Sequence, residues 1–364
     1  MKILIGADLV PTPYSEPLFV SGDTETLFGD FLPIIQAADR FIINLECALT
    51  TAETPIRKCG PNLKADPACA DTLKKLGVTD VTLSNNHTFD FGTQGLRDTM
   101  ANLDRVGLPY TGVGENDTDS RKIYYFQEGG KKFGLVNVCE HEYSYALPDR
   151  LGANPYDPYL TMHDIREAKK NSDIVIVIYH GGKEFCRYPS PRLRLLCHEM
   201  VECGADVVLT QHSHCIGCYE EHEGGLILYG QGNLHFVKPH TLEGWFTSLL
   251  VELDIADDGK ITLNYYPMMQ DPDTGGVRLA KGEDAKGIMD AFYARNEELK
   301  DGRWMDGWRA FCASVPYYKT APTKFYKPES TEQNNEVFAH YLDCEAHTDV
   351  WREYFKTWHH TNEC

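Results

Sequence analysis

The segment Ser84-Asn85-Asn86-His87-Thr88-Phe89-Asp90-Phe91-Gly92 follows directly on the apolar run Val81-Thr82-Leu83. A short, β-branched run that ends in amides, an imidazole and a carboxylate reads as a buried strand delivering polar groups at its end. The same device recurs along the chain. Ile3-Leu4-Ile5 leads to Asp8, Phe41-Ile42-Ile43 to Glu46, and Leu135 to Val138 to Glu140 and His141. Ile174 to Ile178 leads to His180, Val207-Val208-Leu209 to His212 and His214, and Leu226 to Tyr229 to Asn233. Seven such ends describe a sheet protein whose reactive groups gather where the strands stop.

Between these strands lie helical stretches near Gln94 to Val106, with Leu96, Met100 and Leu103 at helical spacing, and Arg192 to Cys203, with Leu193, Leu196, Cys197, Met200 and Val201 on one stripe. Gly77, Gly107 and Gly204 each stand where a helix would end before the next strand. From Trp245 to about Pro267 two strand-like runs flank Asp257-Asp258-Gly259, a hairpin signal. The expected division is a main domain over residues 1–270 and a helical, aromatic-rich extension over 271–364. That extension carries Trp304, Trp308, Trp351 and Trp358, with a polar, Pro-containing linker near Pro316 to Glu332. It is expected to pack its aromatics on the main domain or to wall a substrate pocket.

The 364 residues carry a formal net charge of −19. Such a surface repels phosphodiester backbones, and no Lys/Arg cluster offsets it, so nucleic acid is not an expected partner. No apolar stretch is long enough to cross a bilayer, which places the expected location in the cytoplasm. Twelve scattered cysteines read as free thiols there. The lone pair Cys215 and Cys218 leaves a zinc or redox role open.

Carboxylates (Asp8, Glu46), an amide (Asn86) and imidazoles (His180, His212, His214) form a donor set suited to a divalent transition ion such as Mn, Zn or Fe. A carboxylate between two ions would acidify a shared water and clamp a tetrahedral centre. His87 could then protonate a leaving group, with Asp90 orienting it and favouring its protonated form.

Gly6-Ala7-Asp8, Asn44-Leu45-Glu46, Ser84 to Gly92, His180-Gly181-Gly182-Lys183-Glu184, Gln211-His212-Ser213-His214 and Tyr229-Gly230-Gln231-Gly232-Asn233 together resemble the CapA, or poly-γ-glutamate capsule-synthesis, family. That family is similar to the calcineurin-like metallophosphoesterases. The resemblance covers roughly residues 1 to 250. It implies an α/β fold, a four-layer α/β/β/α sandwich with a one- or two-ion centre at the strand ends. Carried across, Asp8 and His214 would hold a first ion, Asn86, His180 and His212 a second, and Glu46 would bridge them. His87 and Asp90 would be catalytic. Val10 stands where the wider superfamily has a histidine, Glu46 replaces its usual Asp, and Ser213 stands where the family usually has Pro. The Val10 gap leaves the first ion expected to be the looser. Lys58, Lys64, Asn85, Glu140, His141, Glu184 and Asn233 are the expected substrate contacts. The implied activity is hydrolysis of a phosphoester or related small anionic or γ-glutamyl substrate. The alternatives are a non-hydrolytic accessory role in capsule-polymer synthesis and a metal-stabilised binding protein.

Overall fold

The computed structural model describes residues 1–325 and 327–360. Two sheets carry the architecture. The first has seven strands, in the order Gly276–Leu279, Ile261–Asp271, Thr247–Ile255, Lys2–Leu9, Arg40–Leu45, Asp80–Thr82 and Tyr110–Thr111. The second has six: Ile216–His222, Gly225–Gln231, Val207–Gln211, Ile174–His180, Lys131–Cys139 and Tyr124–Glu128. In the first sheet Lys2–Leu9, Arg40–Leu45, Asp80–Thr82 and Tyr110–Thr111 pair in parallel, and the remaining three strands add antiparallel beside Lys2–Leu9. In the second the four central strands pair in parallel and the two edge strands antiparallel.

Alternation along the strands explains the layers. Ile3 and Ile5 turn to an inner core shared with Leu135, Ile176, Ile178 and Leu209 of the other sheet, while Leu4 and Leu9 turn outward. Val175, Val177 and Tyr179 likewise leave the inner core for the opposite outer one. Strands apolar on both faces need cover on both faces. Helices supply it: Phe19, Phe28, Leu73 and Leu103 over the first sheet, Ile165, Leu196 and Met200 over the second. The result is the four-layer α/β/β/α sandwich expected from the sequence.

The helices Gly92–Val106 and Pro191–Glu202 match the apolar stripes. Gly77 and Gly107 close their helices in the left-handed conformation, at φ 100° and 66°, and Gly204 follows its helix by one further residue. The hairpin around Asp257-Asp258-Gly259 joins Thr247–Ile255 to Ile261–Asp271. The sheet continues past residue 270 with Gly276–Leu279, a four-residue strand too short to show a period, so the helices begin only at Gly282.

Among the described residues five helices follow: Gly282–Asp301, Trp304–Ser314, Tyr317–Phe325, Glu332–Asp343 and Glu345–His360. Trp304, Trp308, Tyr318 and Val350 join the outer core of the second sheet. Tyr317–Phe325 lies where the sequence suggests a linker. It is a helix because Tyr318, Ala321 and Phe325 are buried at i, i+3, i+7 spacing. The last helix is tied to the sandwich by Asp349, which accepts from Ser190 Oγ at 2.6 Å and Arg192 Nε at 2.8 Å. The side chains of Trp358, His359 and His360 lie outside the described residues. No helix among the described residues is long and apolar enough to cross a membrane.

Candidate metal centre

The parallel strands of both sheets end on one rim, and the polar residues follow them there. Asp8 lies just past a register break in the pairing of Lys2–Leu9 with Arg40–Leu45, the kind of irregularity that re-aims a side chain. Glu46 directly follows its strand, and His180 is the last residue of its own. His212 and His214 follow Val207–Gln211 with φ of 85° and 53°. Left-handed backbone at non-glycine residues costs about 1–3 kcal/mol each and persists only where the surroundings enforce it. Part of that enforcement is visible, since His212 N–H donates to Asp8 Oδ2 at 3.2 Å.

The ligand atoms form two groups that share Glu46: Asp8, Glu46 and His180, and Glu46, His212 and His214, each set within 4.8 Å. Glu46 belongs to both groups; His180 joins Asp8 in the first, and His214 lies beside His212 in the second while its Nδ1 also sits 3.4 Å from Asp8 Oδ2. His180 Nε2 is 2.9 Å from Asn86 Oδ1 and 3.3 Å from Glu46 Oε1, and its Nδ1 is 3.7 Å from Asp8 Oδ1. His214 Nδ1 is 2.8 Å from Asn233 Oδ1, so a proton on Nδ1 leaves Nε2 free to ligate. Asn44 donates to Asp8 Oδ1 at 2.8 Å, and Asn85 donates to Asn44 Oδ1 at 2.9 Å.

The donor set fits a divalent cation. Both Glu46 oxygens are buried without a hydrogen-bond partner, and so is His212 Nδ1. Buried polar atoms are nearly always hydrogen-bonded, so a carboxylate that lacks such a bond on both oxygens, at the junction of two ligand groups, suits a cation. Charge tells the same story. Burial, followed by the nearby Asp8 and Glu184, pushes the Glu46 carboxyl well above its usual range. Burial also opposes ionisation of Asp8, but His214, His180 and Asn44 overcome it and hold Asp8 at about 2. Burial drives His180 well down, which favours the neutral, ligating imidazole.

Val10, where the wider superfamily has a histidine, is apolar and buried. It is 2% exposed and belongs to the outer core with Leu9, Phe236 and Trp245.

A family model described as "Bacterial capsule synthesis protein PGA_cap" matches residues 7–238. The chain belongs to this family. The capsule biosynthesis protein CapA of Bacillus anthracis is 29% identical over 257 residues, covering 67% of this chain and 61% of that protein. The PGA biosynthesis protein CapA of Bacillus subtilis (strain 168) is 29% identical over 265 residues, covering 69% and 67%. The chain thus spans about three-fifths of the first relative's length. A crystal structure of a hypothetical protein from Thermus thermophilus aligns at TM-score 0.48 and 16% identity, covering 74% of this chain and 100% of that one.

In this PGA_cap chain His87 stands beside the rim. Its Nδ1 is 2.6 Å from Asp90 Oδ2, which also accepts from Leu63 N at 2.6 Å. Lys58, whose side chain is 2% exposed, pairs with the other Asp90 oxygen and lies 3.1 Å from His87 Nδ1. Asp90 is therefore shared: it favours protonated His87, as expected, but does not set the balance alone. Burial first, then Lys58, hold the imidazole below its usual value against the pull of Asp90.

A cavity of about 660 Å³ opens over His87 and Asn86, lined further by Lys58, Lys183, Glu184, Tyr318 and Tyr341. The C-terminal helices form its far wall. Of the expected substrate contacts, the structure brings only Lys58 and Glu184 to this cavity. Lys64 is exposed and donates to Ala52 O at 2.6 Å. Asn85 is wholly buried and braces the loop through Asn44 and Leu45 O. Asn233 is buried behind His214. Glu140 turns away to Tyr179 and Arg192 at 2.9 and 2.5 Å, because only there is its buried charge matched. His141 pairs with Glu345 at 2.7 Å. Cys215 and Cys218 are buried free thiols, which burial pushes up to about 11 in Cys215 and higher still in Cys218.

Sequence reasoning missed Glu142. Its Oε2 accepts from Asn86 Nδ2 at 2.8 Å and lies 3.7 Å from His212 Nε2. The only signal was the acid-imidazole-acid run Glu140-His141-Glu142 at a strand end. It also missed Lys183 and the wall residues His340 and His347.

Proposed function

We propose that the protein is a divalent-metal-dependent hydrolase of a phosphoester or closely related anionic substrate. The observation that carries this reading is Glu46, a buried carboxylate with neither oxygen hydrogen-bonded among the described residues, shared by two groups of imidazole and carboxylate donors. Asp8, Glu46, Asn86, His180, His212 and His214 would hold one or two ions of the Mn, Zn or Fe type. When bound, such an ion supplies a Lewis acid and a water acidified towards neutral pH.

The chain's own residues supply the rest. Asp90 holds the His87 ring through Nδ1, which leaves Nε2 to hand a proton to a departing oxygen. Lys58 balances the Asp90 charge and, with burial, lowers the His87 affinity for its proton. That shift favours the neutral ring, so the proton His87 hands on belongs to its doubly protonated form, which Asp90 supports. Lys183 and Lys58 line the cavity and favour an anionic substrate, while the aromatic wall limits access of water.

The second reading is a non-hydrolytic accessory in poly-γ-glutamate or capsule-polymer synthesis, which the names of the Bacillus relatives favour. A screen of phosphomonoesters, phosphodiesters and γ-glutamyl peptides with Mn²⁺, Zn²⁺ or Fe²⁺ separates the two. Hydrolysis of one class, lost in Glu46→Gln, is the expected result. A metal-loaded protein inert towards all three classes would favour the accessory role.

A further inference from the structure

One carboxylate and two imidazoles converge where the C-terminal helices meet the sandwich, outside the group of ligands described above. Glu142 follows the Lys131–Cys139 strand, His340 lies in Glu332–Asp343, and His347 in Glu345–His360. Their ligand atoms all lie within 4.8 Å of one another. Glu142 Oε1 is 3.6 Å from His340 Nε2 and 3.9 Å from His347 Nε2, and the two Nε2 atoms are 3.1 Å apart. Around a tetrahedral ion with bonds of about 2.0–2.1 Å, ligand atoms sit roughly 3.3–3.4 Å apart along the edges. The triangle has nearly those dimensions already.

The hydrogen-bond inventory points the same way. Two Nε2 atoms facing each other can share one proton at most. His340 Nδ1 is buried with no hydrogen-bond partner among the described residues. His347 Nδ1 is engaged by the Tyr318 hydroxyl, an outer contact of the kind that fixes the ring of a ligating histidine. Cys344 Sγ lies 3.4 Å from Glu142 Oε1 but outside the group of three, and burial keeps it a thiol. All three side chains are largely buried, at 12%, 8% and 9% exposed.

We propose that Glu142, His340 and His347 form a further cation site, suited to a zinc-like ion, with a fourth position open to the cavity. Glu142 joins it to the rim, since its other oxygen faces Asn86 and His212. An ion there would offer the anionic end of a substrate a second positive anchor and would pin the two helices to the sandwich. Both histidines lie beyond residues 7–238 and Glu142 lies within them, so the site joins the helical extension to the part the family model matches. The proposal does not require hydrolysis, and its test reads metal rather than turnover.

The full chain is stripped with a chelator, dialysed, and titrated with Zn²⁺ and with Co²⁺ as a spectroscopic probe. The His340→Gln/His347→Gln variant should bind one equivalent fewer than the native chain and lose one Co²⁺ visible-absorption component. Glu46→Gln should keep that equivalent while losing metal at the rim. Unchanged stoichiometry and affinity in the double variant would overturn the proposal. Anomalous diffraction at the zinc edge from native crystals needs no variant. A peak within bonding distance of Glu142, His340 and His347 supports the site, and none at saturating zinc overturns it.

Discussion

The rim of the sandwich and the wall of C-terminal helices each bring two histidines to a glutamate, but they place them by different means. At the rim, Asp8, Glu46, His180, His212 and His214 lie within three residues of the end of a parallel strand, and the backbone of His212 and His214 is strained into position. In the wall, His340 and His347 come from two successive helices and meet only because those helices fold back on the sandwich. The rim is fixed by the sheets, and the wall is fixed by packing. A change at the rim should therefore act on chemistry with little effect on folding, whereas a change in the wall should couple metal binding to the order of the helices.

The largest expected effect tests the rim. Glu46→Gln keeps the shape of the side chain but removes the charge shared by the two ligand groups, so rim metal and turnover should both fall to background. Full activity in that variant would break the contrast. Next comes His87→Asn, which should lower turnover by about 10²- to 10⁴-fold with metal content unchanged. The loss should shrink for nitrophenyl esters, whose leaving group departs without a proton. If the variant instead loses its metal, His87 is a ligand.

A third, smaller effect separates site histidines from structural ones. His235 is fully buried between the Phe19 and Phe28 rings, and burial holds it at about 4 against an ordinary 6.5. The unfolded chain takes up this proton as pH falls below 6.5 while the folded chain does not. Stability is thus fully present above 6.5 and is lost as pH falls towards 4, on the order of 3 kcal/mol. His235→Phe should flatten that part of the pH–stability curve measured by denaturant titration. An unaltered slope would count against the assignment. The smallest effect is expected at Lys64, which bonds a surface carbonyl, so Lys64→Ala should leave activity unchanged and stability within about 0.5 kcal/mol. A marked loss of activity would return Lys64 to the site.

The same contrast explains what could be read from the chain itself. The rim was legible because each ligand follows a run of alternating core residues, and a strand's end predicts where the next side chain goes. Asn85, Asn233 and Glu140 share those ends, yet they turn towards Asn44, His214 and Arg192 respectively. Sequence position gives the end of a strand but not the partner that captures the side chain. Glu142 was lost for that reason, two residues from the more obvious Glu140. The helix Tyr317–Phe325 was hidden because Pro316, Pro322 and several polar residues mask its short apolar stripe. His340 and His347 carried no signal, because their convergence depends on how two helices meet.

The central claim is that the rim binds a divalent ion through Glu46 and its neighbours. The most direct test is the metal content of the full chain, purified without chelator and again after reconstitution, beside Glu46→Gln treated identically. At least one equivalent of a transition metal, retained by the native chain and missing from the variant's rim, is the predicted result. Content near zero in the native chain, with no gain on reconstitution, would contradict it.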